Sequence, residues 1–365
     1  MAERGAIPKV SPVRRRALRA VRALFSPLLP DDYLELINPL WSTRELRGRI
    51  ERIEEETADT VTVLIRPGYE WPGHLPGQYL RIGVVIDGVH HWRAYSLTSE
   101  PGRPDGCISI TPKLVDTGKV SPYLVRQARP GDVVRLGGVE GTFVLPDPAP
   151  EKLLFISAGS GITPIMSMLR SLHHAEAVDD VAHIHSARTA SDVIFAERLR
   201  EIDEAHPGYR LRLRISGEQG RIGPGDLDDL CPDWRTRHTF ISGPGEMLDA
   251  MSEHWEGEGV AEMLSIERFQ PMIGGDPGGG EGGSVRFAKS GVEAECDGAT
   301  PILVAGEEAG AVLPFGCRMG ICHTCVGRLC SGEVRDLRTG EVHGKHGEMI
   351  RTCVNAPEGP IEIAL

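Results

Sequence analysis

The sequence predicts a multidomain chain: an antiparallel β-barrel, then a parallel-sheet α/β domain, then a small module that carries most of the cysteines. Three observations predict it. Between Leu46 and Leu145, short alternating runs such as Thr60-Val61-Thr62-Val63-Leu64-Ile65 are broken by Pro-Gly pairs, the texture of antiparallel strands joined by turns. From Lys152 the pattern changes to an apolar strand, Leu153-Leu154-Phe155-Ile156, then a glycine turn and a helix, and strand and helix alternate to about Phe269, as a parallel sheet requires. Residues Ile273 to Ser284 are then rich in glycine, with Asp276, Pro277 and Glu281 among them, the composition of a flexible tether. A chain of 365 residues has room for three such units at roughly 100 to 200 residues per domain.

These changes of texture place a basic N-terminal extension at 1–45, the barrel at 46–148, the α/β domain at 149–270, the tether at 271–284 and the last module at 285–365. In the extension, Ser11-Pro12 forms a helix-start signal, and Val13, Ala17, Ala20, Val21 and Leu24 repeat at helical spacing with Arg15, Arg19 and Arg22 on the other face. Residues 1–30 hold seven Lys or Arg against one Glu, a net of +6, so the rest carries −18 within a whole-chain charge of −12. An acidic body excludes nucleic-acid binding by the bulk of the protein, because phosphate contacts need clustered Lys and Arg. A basic amphipathic arm suits anionic headgroups or a membrane-bound partner; a covering helix packed on the barrel accounts for the same pattern. No run of about 18 apolar residues predicts a spanning helix, and no secretory leader is legible. The expected location is cytoplasmic, with peripheral contact at the inner face of the membrane.

Six of the eight cysteines stand in the last module, five of them from Cys317 onward. Cys317, Cys322 and Cys325 have the spacing C-x4-C-x2-C and Cys353 follows downstream, the ligand pattern of a plant-type [2Fe-2S] cluster. Two thiolates complete each iron, and Gly316 and Gly320 allow a tight loop that aims backbone N–H groups at the sulfurs. Structural zinc favours paired C-x2-C units, which the four-residue first gap does not provide. Cys107, Cys231, Cys296 and Cys330 are expected to be buried apolar thiols.

Three further clusters point to nucleotides. Arg93-Ala94-Tyr95-Ser96 ends a barrel strand and combines a guanidinium fork for phosphate, an aromatic face and a small donor; a plain strand end carries the same four residues equally well. Ala158-Gly159-Ser160-Gly161-Ile162-Thr163-Pro164 follows the first apolar strand directly, so its glycine turn falls where a pyrophosphate meets a helix N-terminus. Ile241-Ser242-Gly243-Pro244-Gly245 closes a later strand. In His185-Ser186-Ala187-Arg188 a hydroxyl and a guanidinium stand where a ribose 2′-phosphate would be met, with Arg221 as an auxiliary, whereas an NADH site usually places an acid there; exposed loop residues account for the same run almost equally well. His173, His174, His183 and His185 lack an accompanying carboxylate or thiol at ligand spacing, so surface or strand-packing roles are expected.

Over residues 46–270 the motifs follow the order and spacing of the ferredoxin-NADP reductase superfamily, which the chain resembles. Arg93-Ala94-Tyr95-Ser96 is similar to its flavin motif, and Gly118-Lys119-Val120-Ser121 to its second motif, where backbone N–H groups at a helix start hold the flavin phosphate. The turn ending in Thr163-Pro164 has the superfamily's form. Ser242-Gly243-Pro244 resembles its C-G-P motif with serine in place of cysteine. The run Pro314-Phe315-Gly316-Cys317-Arg318-Met319-Gly320-Ile321-Cys322-His323-Thr324-Cys325, with Gly332-Glu333-Val334 beyond it, resembles plant-type ferredoxins, with His323 where that family usually has glycine, and implies an α+β, β-grasp fold. The domain order is similar to that of the phthalate dioxygenase reductase-like, phenylacetyl-CoA epoxidase reductase-like and actinobacterial acyl-CoA desaturase reductase-like flavoproteins. The stretch from Asp31 to Trp41 looks most like the last group.

The resemblance implies an NAD(P)H-dependent oxidoreductase that holds FAD rather than FMN, takes NADPH in preference to NADH, and feeds a [2Fe-2S] cluster on Cys317, Cys322, Cys325 and Cys353. Hydride would pass from the nicotinamide to a flavin that converts an electron pair into single electrons. Ser96, Thr163 and Ser242 would attend the transfer. Arg93, Tyr95, Gly118, Lys119, Val120, Ser121, Gly159, Gly161, Pro164, Ser186, Arg188, Gly243 and Pro244 would bind the cofactors, and Phe269 would stack on the flavin or fill core. A tethered ferredoxin would reach millimolar effective concentration. The implied acceptor is a partner oxygenase or desaturase, with a membrane fatty acyl desaturase foremost and a ring-hydroxylating dioxygenase or CoA-thioester epoxidase as the alternative. A terminal reductase of small oxidants and a non-catalytic iron-sulfur redox sensor are the rival readings; the sensor leaves two nucleotide-binding domains without a purpose.

Overall fold

The computed structural model describes residues 37–42, 45–86, 88–116, 118–269, 280–298, 300–315, 320, 323–337 and 339–365. The chain divides into two compact units, Met1–Glu267 and Arg268–Leu365. The expected N-terminal helix lies outside the described residues. The extension's last part does pack: Asn38 Oδ1 accepts the Leu40 N–H (3.0 Å) at the head of the single turn Pro39–Trp41, and Leu40 is buried.

In the first unit, strands β1 (Arg47–Thr57), β2 (Thr60–Pro67), β3 (Tyr79–Ile86), β4 (Val89–Ser96), β5 (Ile108–Ile110) and β6 (Val133–Glu140) form one antiparallel sheet in the order β4-β3-β6-β1-β2-β5. A bridge between Leu97 and Ile110 joins its two ends, so the sheet closes. Closure leaves no long unpaired edge. Leu80, Ile82 and Val84 are buried at alternate positions of β3, as a strand with one face on a core requires. They meet Ile50, Val63, Ile65, Ile110 and Leu136, while Val120 and Leu124 of helix α1 (Val120–Arg126) join the same core.

The rest of this unit is a five-stranded parallel sheet, ordered β11-β10-β7-β8-β9, made of β7 (Leu153–Ala158), β8 (Val181–Ala187), β9 (Tyr209–Ile215), β10 (His238–Ser242) and β11 (Leu264–Glu267). Helices α2 (Ile162–His174), α3 (Ala196–Ala205) and α4 (Gly245–Gly257) accompany it. Phe155 belongs to a core with Ile165, Leu169 and Leu199, and its strand neighbours Leu154 and Ile156 to another with Trp234 and Trp255. The unbroken apolar run of β7 is therefore buried on both faces. Chain order steps outward from β7 through β8 to β9 and then returns to β10 on the other side of β7, which puts the sheet's switch point between β7 and β10.

The second unit holds a mixed sheet of β12 (Gly283–Phe287), β13 (Glu293–Cys296), β14 (Val326–Asp336), β15 (Val342–His343) and β17 (Asn355–Ile363), with β16 (Met349–Arg351) on β14. β12 runs parallel to β17 and the other pairs are antiparallel. Helix α5 (Ile302–Glu308) packs Ile302 and Leu303 against Val285, Phe287, Leu329 and Ile361, completing the expected β-grasp arrangement. One boundary is corrected. The tether was expected to run to residue 284, yet Gly282 already bridges Glu358 and Gly283 and Ser284 open β12. A Cβ on Gly283 would stand 2.1 Å from the Gly359 carbonyl oxygen, so this glycine serves close backbone packing and not looseness. Cys107, Cys231 and Cys296 are buried as expected. Cys330 is half-exposed where β14 shifts register between Leu329 and Ser331, because such an irregularity re-aims a side chain out of the regular face alternation.

Candidate active site and cluster module

The flavin-type motif lies at the end of β4. Tyr95 pairs with Leu80 and Ser96 with Tyr79 of β3, and Ser96 is 6% exposed. Tyr95 presents a half-buried ring whose hydroxyl is buried with no hydrogen-bond partner among the described residues; burial pushes that phenol well above its ordinary pKa. Gly118–Ser121 leads into α1. The Gly118 N–H donates to the Val115 carbonyl (2.8 Å), and the Ser121 hydroxyl accepts the Val115 N–H (3.1 Å). Ser121 thus pins the loop, while Lys119 stays exposed.

The nicotinamide-type motifs flank the switch point. Gly159–Gly161 follows β7 as a single tight turn, and Gly243-Pro244 follows β10. The turns interlock: a Cβ on Gly161 would lie 2.1 Å from the Ser242 carbonyl oxygen, whereas one on Gly159, at φ +52°, would meet nothing within 4 Å. One glycine permits contact between the loops and the other leaves open space above the helix N-terminus, the combination a pyrophosphate site uses. The Thr163 hydroxyl donates to the Ser160 carbonyl (2.9 Å). Ser242 is fully buried, and its Oγ has no partner among the described residues.

Helix α2 joins the two motifs. Ser167, one turn after Thr163, donates its hydroxyl to the Ser99 carbonyl (2.7 Å), and Arg170 Nη1 donates to the Thr98 carbonyl (2.6 Å). His74 Nε2 lies 3.1 Å from the same Ser99 oxygen. Ser99 is three residues beyond Ser96, so the strand end that carries Arg93, Tyr95 and Ser96 is clamped to the helix that begins at the glycine turn. Glu56 reinforces the seam by accepting the Phe195 N–H (3.2 Å) and the Thr62 hydroxyl (2.6 Å). Arg170 lies 5.2 Å from the Phe195 ring centroid, a cation–π distance.

Ser186 and Arg188 fall on the other side of β7, at the end of β8. Ser186 is buried and in register with Arg214, Arg188 is exposed, and Arg221 pairs with Glu246 (2.7 Å). Phe269 belongs to the second unit.

Topology joins Ser242, His183 and His185 to three polar groups that sequence reasoning passed over, Ser157, Tyr209 and Glu267. Glu267, Ser242, Ser157 and His185 form one register row across β11, β10, β7 and β8. Ser157 Oγ lies 2.8 Å from His185 Nδ1 and 3.0 Å from His183 Nε2, and His183 Nδ1 lies 2.7 Å from the Tyr209 hydroxyl. Burial drives His185 down to about 4 and His183 also well down, so both are neutral strand-packing groups. At the row's end, burial pushes the Glu267 carboxyl up to about 7. The only sequence signal for Glu267 was its place at the close of the last parallel strand.

In the second unit, Cys325 and Cys353 are 1% and 3% exposed within one core; Cys317 and Cys322 lie outside the described residues. The Gly320 N–H donates to Cys353 Sγ (3.2 Å), and Thr352 donates its N–H (3.2 Å) and hydroxyl (2.9 Å) to the Cys325 carbonyl. A sulfur met by a backbone N–H suits a cluster thiolate. The orphaned Tyr95 and Ser242 hydroxyls and the open space above Gly159 likewise fit a flavin and a dinucleotide.

Three family models match in chain order: an oxidoreductase FAD-binding domain over residues 50–145, an oxidoreductase NAD-binding domain over 155–253 and a 2Fe-2S iron-sulfur cluster binding domain over 285–358. An NADPH oxidoreductase of Mycobacterium tuberculosis is 47% identical, with 94% of this chain and 90% of the relative aligned. The ferredoxin reductase component of 3-ketosteroid-9-alpha-monooxygenase from Mycolicibacterium smegmatis is 29% identical over 79% of this chain and 87% of its own. The solved phthalate dioxygenase reductase shares the fold, with a TM-score of 0.57 at 20% identity, covering 87% of this chain and 97% of that one. The chain belongs to the ferredoxin-NADP reductase superfamily, among its flavoproteins with a fused C-terminal plant-type [2Fe-2S] domain. It is an NAD(P)H-dependent oxidoreductase whose groups are FAD and a [2Fe-2S] cluster.

The Glu267 environment sets a pH dependence. Between the ordinary glutamate value of roughly 4.3 and its folded value of about 7, the folded chain keeps a proton that the unfolded chain releases. Stability from this residue is therefore present at low pH and lost as pH rises through that window. Glu267→Gln removes the dependence, so in coenzyme-free protein its thermal stability relative to wild type should improve from pH 5 to about pH 7 and level off above that. Parallel curves across that range would show that the carboxyl is not held neutral.

Proposed function

We propose that the chain carries electrons from NADPH to a partner oxygenase, with the flavin and nicotinamide sites built where α2 is clamped to the end of β4. The hydrogen bonds from Ser167 and Arg170 to Ser99 and Thr98 support this most directly. When bound, the flavin accepts an electron pair from the nicotinamide and releases electrons singly to the cluster. Tyr95 offers its ring face to the flavin and its unpartnered hydroxyl to the flavin's polar chain, with Arg93 on phosphate and Ser96 at the reacting edge. Gly118, Lys119 and Val120 present the start of α1 to the flavin phosphates while Ser121 holds their loop. Gly159, Gly161 and Pro164 shape the pyrophosphate turn. Thr163, Ser242, Gly243 and Pro244 border the nicotinamide, and the Ser242 hydroxyl is free to meet it. Positioning is the protein's contribution, and no acid or base is needed for the transfer itself. Cys317, Cys322, Cys325 and Cys353 hold the cluster.

Cys322→Ser separates the two halves of this function. The variant should keep NADPH-ferricyanide reduction within about twofold of wild type and lose at least tenfold in reduction of cytochrome c or the partner. If a folded, flavin-loaded variant loses both activities, the order flavin then cluster is wrong; if wild type reduces neither acceptor, the chain is a sensor.

NADPH is preferred to NADH because Ser186 and Arg188 stand at the end of β8, where the 2′-phosphate would lie, with no acid among residues 185–188. Arg188→Ala should cut catalytic efficiency with NADPH by about tenfold or more, in line with about 1.5 to 3 kcal/mol for a charged hydrogen bond, and leave NADH nearly untouched. An unchanged NADPH/NADH ratio removes Arg188 from this role.

The narrower reading of the acceptor is a membrane fatty acyl desaturase, and the basic arm of net +6 is its support. It implies weak, salt-sensitive attachment to anionic membranes. The full chain should co-sediment with vesicles containing phosphatidylserine at low salt, and a chain starting at Trp41 should not. Equal sedimentation of the two would leave a soluble oxygenase as the acceptor.

A further inference from the structure

Gly320 stands in sequence between Cys317 and Cys322, and two contacts fix its backbone. Its N–H donates to Cys353 Sγ (3.2 Å), and its carbonyl accepts from Arg351 Nη1 (2.9 Å). The other arm of the guanidinium, Nη2, lies 3.7 Å from Asp336 Oδ2. Asp336 is 7% exposed. The backbone of Arg351 is itself held: it closes β16 in register with Val326, and its carbonyl accepts from Asn355 Nδ2 (2.9 Å) and the Val354 N–H (3.1 Å). A side chain that starts two residues before one cysteine thus reaches the backbone of a glycine that stands in sequence between two others.

We propose that Arg351 is a positioning residue for the cluster, holding the Gly320 backbone so that its N–H addresses the Cys353 thiolate and adding a fixed positive charge that favours the reduced state. The proposal rests on the reading that Cys317, Cys322, Cys325 and Cys353 carry a [2Fe-2S] cluster. Reduction adds one negative charge to that group. A donor to the thiolate and a nearby cation both stabilise the added charge, while an anion opposes it. Arginine suits the task because it stays charged at every relevant pH and its planar fork lets one arm bond the Gly320 carbonyl while the other faces the Asp336 carboxylate as an ion pair. Lysine would keep the charge without the fork. Loss of Arg351 removes the cation and its ion pair with Asp336, and both changes disfavour the reduced cluster. The side chain is 32% exposed, so water screens part of the effect.

The test is a spectroelectrochemical titration of the cluster in the purified holoprotein, with the half-life of its visible absorbance in a chelator as a second reading. Arg351→Gln should move the midpoint to a more negative potential, by up to about tenfold in the one-electron equilibrium or about 59 mV, and shorten the cluster half-life several-fold. Arg351→Lys should recover most of the potential but not the half-life. Asp336→Asn should shift the potential the opposite way, toward positive values, an outcome that a merely structural role for Arg351 does not produce. A wild-type midpoint in Arg351→Gln, or shifts of the same sign in Arg351→Gln and Asp336→Asn, overturns the proposal. If Arg351→Gln takes up no cluster, the sign in Asp336→Asn and the recovery in Arg351→Lys decide it. Absence of a [2Fe-2S] spectrum in reduced wild type would instead overturn the cluster reading on which the proposal stands.

Discussion

The first unit depends on one short seam, where Ser167 and Arg170 of α2 donate to the Ser99 and Thr98 carbonyls. Those carbonyls follow directly from the strand that bears Tyr95 and Ser96, and the helix follows directly from the glycine turn. A barrel and a parallel sheet are each stable arrangements that say nothing about their mutual placement. Here a hydroxyl and a guanidinium on successive turns of one helix set it. The seam is apolar as well as polar: Phe143, from the end of the barrel segment, packs its ring 5.5 Å from Phe240 of β10, so part of the sheet's core is supplied by the other domain. Rigid support of this kind keeps reacting groups at fixed separation, which is most of what a hydride-transfer site needs.

Much of the architecture was legible in the chain. The period-2 run Thr60–Ile65 marked β2, the unbroken Leu153–Ile156 run marked the first strand of the parallel sheet, and the cysteine spacing marked the last module. Local pattern reveals local structure because side-chain direction follows backbone period. Other features were not legible, for one common reason. Ser167 and Arg170 bond to residues about seventy positions earlier, and the row of Glu267, Ser242, Ser157 and His185 exists only once four separate strands are in register. No window of sequence contains either. The glycines at 282 and 283 misled in a different way, since composition does not distinguish a residue chosen for freedom from one chosen because two backbones touch. Cys330 looked like its buried neighbours until the irregularity in β14 uncovered it.

The histidines show how burial decides chemistry. His183 and His185 sit two residues apart on β8, a spacing that invites a metal, yet both are enclosed and are joined through Ser157 to one another and through His183 to Tyr209. Enclosure keeps them neutral. A neutral ring donates from one nitrogen and accepts at the other, so the two bonds of His183, to Ser157 and to Tyr209, must have opposite sense. Such a network favours one packing of β7, β8 and β9 over near alternatives, since a shift of register would strand several buried polar atoms at once.

The orphaned atoms have a thermodynamic consequence. Ser242 Oγ and the Tyr95 hydroxyl are buried without partners among the described residues, and a buried hydroxyl left unsatisfied costs about 1 to 3 kcal/mol. A ligand that reaches either atom removes that cost as well as making its own contacts. Ligand occupancy and folding are then linked quantities: coenzyme concentration acts on the lifetime of the folded protein as well as on its turnover. In a cell where nicotinamide pools rise and fall, the amount of this reductase that survives would follow the supply of its own electron donor.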